Sequence, residues 1–309
     1  MNSLRSYNRF SLPCLVAVCA ILVSACKKDG NPNNLPETDP SQYEGTIDGY
    51  NSSDEVAPNN LVAYWDFEGN TNEKISGTAA TSSAGNTFVN DGVKGQALSL
   101  NAGYLYYATQ FEKLKTDTFK NFTISTWIQI LNNGSKRTML FQLARPGVFN
   151  GNINFALNTQ SFPATNTDEL KINPTFSTLG GGTQDNINTK RDNPGDANYV
   201  PYLTPKIGAD KWTHLLLTYD GTTGVFNIWA DGIKVGAYSN RGLGNNVFKS
   251  YEPSEVIIGG NYNVIPGKAV NADANFAAMT GRMDELKIWN TPLTDAHIRA
   301  IYNLGLARK

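Results

Sequence analysis

The sequence predicts an all-β protein, a sandwich of two antiparallel sheets with one short C-terminal helix. Three observations carry this. Apolar and polar residues alternate with period two in run after run, Asp-Gly pairs sit between such runs, and helical spacing is confined to the C-terminus. In the run 122–130, Phe122, Ile124, Thr126, Ile128 and Ile130 share one face, while Thr123, Ser125, Trp127 and Gln129 share the other, as a strand buried on one side requires. Further strand signals lie at 61–65, 97–100, 153–157, 214–219, 225–229, 256–258 and 286–289. Asp220-Gly221 and Asp231-Gly232 stand between apolar runs, where a two-residue hairpin needs positive φ and favours glycine. The segment 225–235 is therefore a predicted hairpin. Near the end Thr294 suits an N-cap, Leu293 before it is placed to pack on Ile298, and Ile301 and Tyr302 continue that face.

The N-terminus sets the compartment. Arg5 and Arg9 precede an uncharged apolar run from Ser11 to Ala25, the arrangement of a signal peptide. A membrane-crossing helix needs roughly 20 apolar residues, and this run is shorter. The string Leu22-Val23-Ser24-Ala25-Cys26 resembles the bacterial lipobox, in which the cysteine is lipidated and the peptide is cut before it. The resemblance implies a mature chain that starts at Cys26 and is held to a membrane by acyl chains, each buried CH₂ contributing about 0.8 kcal/mol. Lys27-Lys28-Asp29 resembles the charged leader of surface lipoproteins in Bacteroidetes-type bacteria, which implies an outer-membrane location, lipid-anchored and facing the cell surface, with a periplasmic orientation as the alternative.

Composition narrows the remaining classes. The cysteines are Cys14, Cys19 and Cys26, so past Cys26 the chain has no cysteine for a disulfide or a thiolate metal site. Without residues 1–25 the charge is 24 basic against 27 acidic side chains, or −3, and no basic face is offered to nucleic acid. Aromatic residues at 11% beside charged residues at 17% fit an extracellular β protein. Residues 26–59, rich in Asn, Pro, Asp and Ser, read as the lipidated cysteine and a flexible tether. Residues 60–309 read as one domain.

Six segments in order then resemble one family. They are Leu61 to Asn70 (LVAYWDFEGN), Gly95 to Leu100 (GQALSL), Phe122 to Ile128 (FTISTWI), Lys211 to His214 (KWTH) leading to Thr218 to Gly221 (TYDG), Ile228 to Gly232 (IWADG), and Gly281 to Leu293 (GRMDELKIWNTPL). Together they resemble laminin-G-like, concanavalin A-like jelly-roll domains. The resemblance implies a two-sheet jelly roll whose relatives include lectins, carbohydrate-binding modules, adhesion domains and glycoside hydrolases. A fold shared so widely does not choose among them.

A hydrolase of this kind needs two close carboxyl groups, and its relatives carry them as Glu-x-Asp-x-Glu or Glu-x-Asp-x-x-Glu. Neither spacing occurs in this sequence, so a non-catalytic protein is expected, with a glycoside hydrolase whose site is assembled from distant strands as the lesser alternative. His214 and His297 form no Ser or Cys constellation visible in the sequence. The resemblance also implies one structural calcium ion where the first and last strands meet, with Asp284 and Glu68 or Asp66 as ligands. The chemistry favoured for the rest is glycan binding, because aromatic rings cover the apolar faces of sugars while amides and hydroxyls bond their edges. The candidates are Trp127 and Trp229 on outward strand faces, and Arg191, Tyr199 and Tyr202 in the long polar segment 178–210. The expected partners are a polysaccharide, the membrane through the N-terminal lipid, and, as an alternative, an outer-membrane protein for which the domain serves as adhesin or accessory subunit.

Overall fold

The computed structural model describes residues 45–188, 203–238 and 241–309. The chain divides into Met1–Gly45 and a compact unit Thr46–Lys309, and the fold below is that of the second unit. Its strands among the described residues are β1 (Leu61–Trp65), β2 (Ser82–Val89), β3 (Ala97–Tyr107), β4 (Phe122–Ile130), β5 (Arg137–Arg145), β6 (Val148–Leu157), β7 (Thr175–Ser177), β8 (Thr183–Asp185), β9 (Gly208–Asp220), β10 (Val225–Ala230), β11 (Ile233–Tyr238), β12 (Glu255–Ile258), β13 (Phe276–Ala277) and β14 (Met279–Trp289). One helix, α1 (Asp295–Leu306), follows.

One layer runs β11, β10, β9, β4, β14, with β1 alongside the C-terminal half of β14; the other runs β2, β3, β12, β5, β6, β7, β8. Every pairing is antiparallel except the short β13–β5 bridge. The layers are joined along one margin, because the first half of β14 pairs with β3 (Met283 opposite Leu98) and its second half with β1 (Leu286 opposite Trp65). The change of partner falls at a bulge between Asp284 and Lys287, where Glu285 takes a φ of 52°. This is the all-β sandwich that the period-two runs require.

The inward faces make one core. From the first layer come Phe122, Ile124, Ile128, Leu215, Leu217, Ile228 and Ile288; from the second come Leu105, Phe141, Leu143, Phe155, Val256 and Ile258. Each such fully buried side chain contributes about 1.5–3 kcal/mol through burial. Trp65 sits among them with its ring 5.7 Å from Tyr107 and 5.9 Å from Phe111, edge on.

Both outward faces are covered as well. α1 lays Ile298, Ile301 and Leu304 on Leu216, Trp229 and Trp289 of the first layer. Thr294 caps it by accepting the amide of His297 at 3.3 Å, and Leu293 and Ile298 are buried in one cluster, the hydrophobic staple read from the sequence. On the second layer Tyr262 and Ile265 cover Tyr104, Tyr106 and Ile257.

Two expectations are corrected. The folded unit begins at Thr46 rather than at residue 60. Val56 is fully buried against α1, its carbonyl accepts Trp289 Nε1 at 2.9 Å, and Asp48 accepts Asn303 Nδ2 at 2.7 Å. The few apolar side chains of this polar stretch suffice to dock it. The second correction concerns Asp220-Gly221. The hairpin at Asp231-Gly232 is a two-residue turn with φ of 48° and 74°, as expected, but β9 and β10 are joined by the four residues 221–224 and the positive φ falls on Gly224 at 71°.

Candidate functional site

A cleft of about 640 Å³ opens beside the β4–β5 connection and the start of β14. Its apolar floor includes Leu100, Ile130, Ala277 and Ala278. Gln129, Asn132, Ser135, Lys136 and Arg282 supply its polar walls. Two backbone features build it. Gly281, at φ 151°, brings β14 against β4 so closely that a Cβ there would lie 2.4 Å from the Gln129 carbonyl oxygen. The 131–136 loop is stapled in place: Asn133 Oδ1 accepts the amides of Ser135 at 2.9 Å and Lys136 at 2.7 Å, and Thr159 Oγ1 donates to the Lys136 carbonyl at 2.7 Å. Asn132 Nδ2 holds the carbonyls of Asn166 at 2.9 Å and Glu169 at 2.8 Å. The wall is thus set before any ligand arrives, which lowers the ordering cost of binding.

The electrostatics are one-sided. Arg282 Nη1 donates to Gln129 Oε1 at 3.1 Å and lies 3.7 Å from the exposed Asp91. Lys136 is half-buried, its Nζ donates to the Ala274 carbonyl, and among the described residues it forms no ion pair. Among the described residues, those lining the cleft include no carboxylate and no aromatic ring. Such a surface bonds hydroxyls and anions, and it has no acid–base pair of its own.

The residues singled out by the sequence lie elsewhere. Trp127 and Trp229 do stand on the outward face, but they are 3% and 5% exposed. Trp127 is stacked on Tyr302 at 5.7 Å, and a Cβ on Gly305 would be 2.4 Å from its ring. Trp229 donates Nε1 to Thr218 Oγ1 at 3.3 Å within the cluster under α1. Neither ring has a face free for a sugar, because the C-terminal helix occupies it. Cys26, Arg191, Tyr199 and Tyr202 lie outside the described residues. Of the polar segment that holds the last three, Asn186 and Asn188 are buried and bond backbone carbonyls at Phe226, 2.7 Å, and Leu170, 3.0 Å.

The three carboxylates separate into a pair and a single. Asp284 Oδ2 accepts the amide of Lys94 at 3.0 Å, and Glu68 accepts that of Gln96 with both oxygens at 3.1 Å, so both reach the turn 92–96. Gly92 and Gly95 make room for them, since a Cβ on either would meet these carboxylate oxygens at 2.9 Å and 2.1 Å. Burial, and after it the charge of Glu285, pushes the Asp284 carboxyl up to about 8. Asp66 instead pairs with Lys74 at 3.1 Å. Among the described residues no group of three or more His, Cys, Asp or Glu side chains is arranged to hold a metal, so calcium bound at the turn would rely on carbonyls and water beyond these two carboxylates.

One constellation escaped the sequence. Ser125 Oγ and His214 Nε2 are 2.7 Å apart, within reach for a nucleophile and its base. The imidazole is fully buried, its Nδ1 has no partner, and burial followed by the Lys287 charge pushes it down to about 3. Both side chains are buried, and among the described residues no carboxylate bonds the imidazole, so the pair serves as a hydrogen bond between β4 and β9.

A family model described as the concanavalin A-like lectin/glucanases superfamily matches residues 101–299. The chain belongs to this superfamily. The jelly-roll expectation drawn from the six segments is thereby met. No curated protein matches the chain. Among solved structures, this superfamily member is similar to the binding domain of Paraclostridial Mosquitocidal Protein 1, with 16% identity, 79% of this chain and 52% of that one covered, and a TM-score of 0.48. It is also similar to domain 4 of AbnA, a GH43 extracellular arabinanase from Geobacillus stearothermophilus in complex with arabinotriose, with 15% identity, 78% and 97% covered, and a TM-score of 0.47. A third is the SAP-like pentraxin from Limulus polyphemus, with 14% identity, 63% and 73% covered, and a TM-score of 0.42. The chain spans about half the length of the first of these.

Proposed function

We propose that this chain is a non-catalytic glycan-binding lipoprotein, anchored at the outer membrane by lipid on Cys26 and facing the cell surface. The cleft between the 131–136 loop and the start of β14 takes the saccharide. One observation carries the reading: a preformed concavity of about 640 Å³ with an apolar floor, amide and hydroxyl walls and no lining carboxylate. Its size falls within the range of about 300–1,000 Å³ usual for small-ligand sites. Hydroxyl edges of a sugar meet the exposed Asn133, Ser135 and Thr280, and its C–H faces lie on the Leu131 side. The test is affinity electrophoresis of the full chain in detergent against plant, host and microbial polysaccharides. Retardation by at least one class is expected, and uniform migration across all of them refutes the reading.

A structural calcium ion belongs to the same proposal. Asp284 and Glu68 would hold it at the glycine turn 92–96, where the ion would neutralise two carboxylates crowded onto one loop and fix β14 to that turn. The raised Asp284 carboxyl supports this, since a desolvated acid gains most from a cation. Calorimetric titration with calcium and thermal melts with and without chelator check it. Binding heat and a higher melting temperature are expected, and the absence of both removes calcium from the account.

A further inference from the structure

We infer that the ligand of the cleft is an acidic glycan, recognised through sugar carboxylates by Lys136 and Arg282; this rests on the glycan-binding reading above. The sign of the cleft is local. The whole chain carries a net charge of −1, yet the cleft is lined by two cations and no anion.

Each cation is held in a way that leaves it an anion short. Lys136 is tied down at three points, with its amide on Asn133 Oδ1, its carbonyl under Thr159 Oγ1 and its Nζ on the Ala274 carbonyl. Its ammonium has no ion-pair partner among the described residues, and a carboxylate would give it a charge-assisted hydrogen bond. Arg282 directs one N–H to Gln129 Oε1 at 3.1 Å, and its pairing with Asp91 is long, 3.7 Å, to a side chain 68% exposed. Such surface pairs contribute little. The planar fork therefore retains an edge for bidentate contact, the geometry a carboxylate matches.

The missing ring points the same way. Neutral sugars are commonly held by stacking on aromatic faces, and none lines this cleft. Selectivity must then come from charge and hydrogen bonds, and a carboxylate-bearing sugar supplies the charge the walls lack. Leu131, exposed at the rim, and the partly exposed Ala277 and Ala278 offer apolar surface for ring C–H groups between such contacts.

The experiment uses the full chain in detergent and four immobilised probes: a polyuronate, a sulfated polysaccharide, a neutral xylan and a neutral glucan. Polyuronate binding at least tenfold tighter than to the neutral polymers is expected, weakening as sodium chloride is raised. Lys136→Met should lower polyuronate affinity about tenfold and flatten its salt dependence, and Lys136→Arg should restore most of both. Melting curves of each variant establish that the fold is intact. Binding to neutral glycans with no preference for uronate overturns this inference and leaves the glycan reading standing. Stronger binding to the sulfated polymer overturns the assignment to carboxylates. Failure of all four probes overturns both.

Discussion

One buried imidazole should work against this fold as the pH falls. His214 is fully buried between Trp127, 4.9 Å away, and Tyr302, 6.1 Å away. Its Nε2 is engaged by Ser125 and its Nδ1 by nothing, while its amide donates to Asp231 Oδ1 at 2.9 Å. Burial and then the Lys287 ammonium push it from 6.5 down to about 3. A base whose folded value is depressed stays neutral in the fold while the unfolded chain takes up its proton. Stability is therefore whole above pH 6.5 and drains as pH falls toward 3. At about 1.36 kcal/mol per unit, the loss between pH 7 and pH 4.5 comes to about 2.5 kcal/mol, and the full loss below pH 3 to about 5 kcal/mol. Asp284 acts in the opposite sense: raised to about 8, it favours the fold below pH 3.8 and loses that advantage as pH climbs through 8. His214→Phe isolates the imidazole, because every other group titrates alike in the two proteins. Urea unfolding at pH 7, 5.5 and 4.5 should show the variant losing about 2.5 kcal/mol less than the parent across that span. Parallel pH dependences, or an imidazole resonance that titrates near 6.5 in the folded protein, would refute the reasoning.

Three further substitutions probe the frame around the cleft. Gly281→Ala places a Cβ 2.4 Å from the Gln129 carbonyl oxygen and should cost about 1–3 kcal/mol in chemical unfolding while weakening glycan retention; an unchanged midpoint means the β4–β14 approach is not tight there. Lys287→Met leaves the buried Glu285, otherwise bonded by Tyr64 at 2.6 Å and Ser53 at 3.1 Å, without its cation. The expected cost is about 3–5 kcal/mol, and a loss under about 1 kcal/mol would show that water reaches the pair. Trp127→Ala should destabilise by about 3–5 kcal/mol yet leave glycan affinity unchanged in the folded fraction; loss of affinity with full stability would return the ring to the ligand.

The sequence makes strands legible wherever one face is wet or merely polar. β1, β4, β9, β10, β12 and the end of β14 all stand where the alternating or apolar runs put them. Of the five strands without a sequence signal, β7, β8 and β13 are only two or three residues long, and β2 and β5 are invisible for opposite reasons. β2, from Ser82 to Val89, is an edge strand with mostly exposed side chains, so it carries no apolar alternation. β5 is buried at every position from Thr138 to Ala144, so Met139-Leu140-Phe141 reads as a continuous run without period. The turn after β9 misled because Asp220 does more than precede a glycine. Its Oδ1 accepts the Thr222 amide and its Oδ2 the Thr223 hydroxyl, each at 2.8 Å, and this local turn makes room for four residues instead of two.

The cleft and the covered tryptophans share one cause of illegibility. Period two tells which face a side chain takes, and nothing about what lies on that face. Lys136 and Arg282 meet across the 131–136 loop and β14, about half the chain apart, and Asn132-Asn133-Gly134-Ser135 announces a turn without announcing a ligand. Trp127 faces α1, stacked on Tyr302, and an outward aromatic on a sandwich is as good a description of a platform for sugar as of a seat for a helix. The clue that separates them is in the helix, not in the strand. Gly305 lies in the last turn of α1. The ring of Trp127 fills the space a Cβ would need. A glycine in the last turn of an amphipathic terminal helix leaves room for close approach by something flat, and here the Trp127 ring takes it.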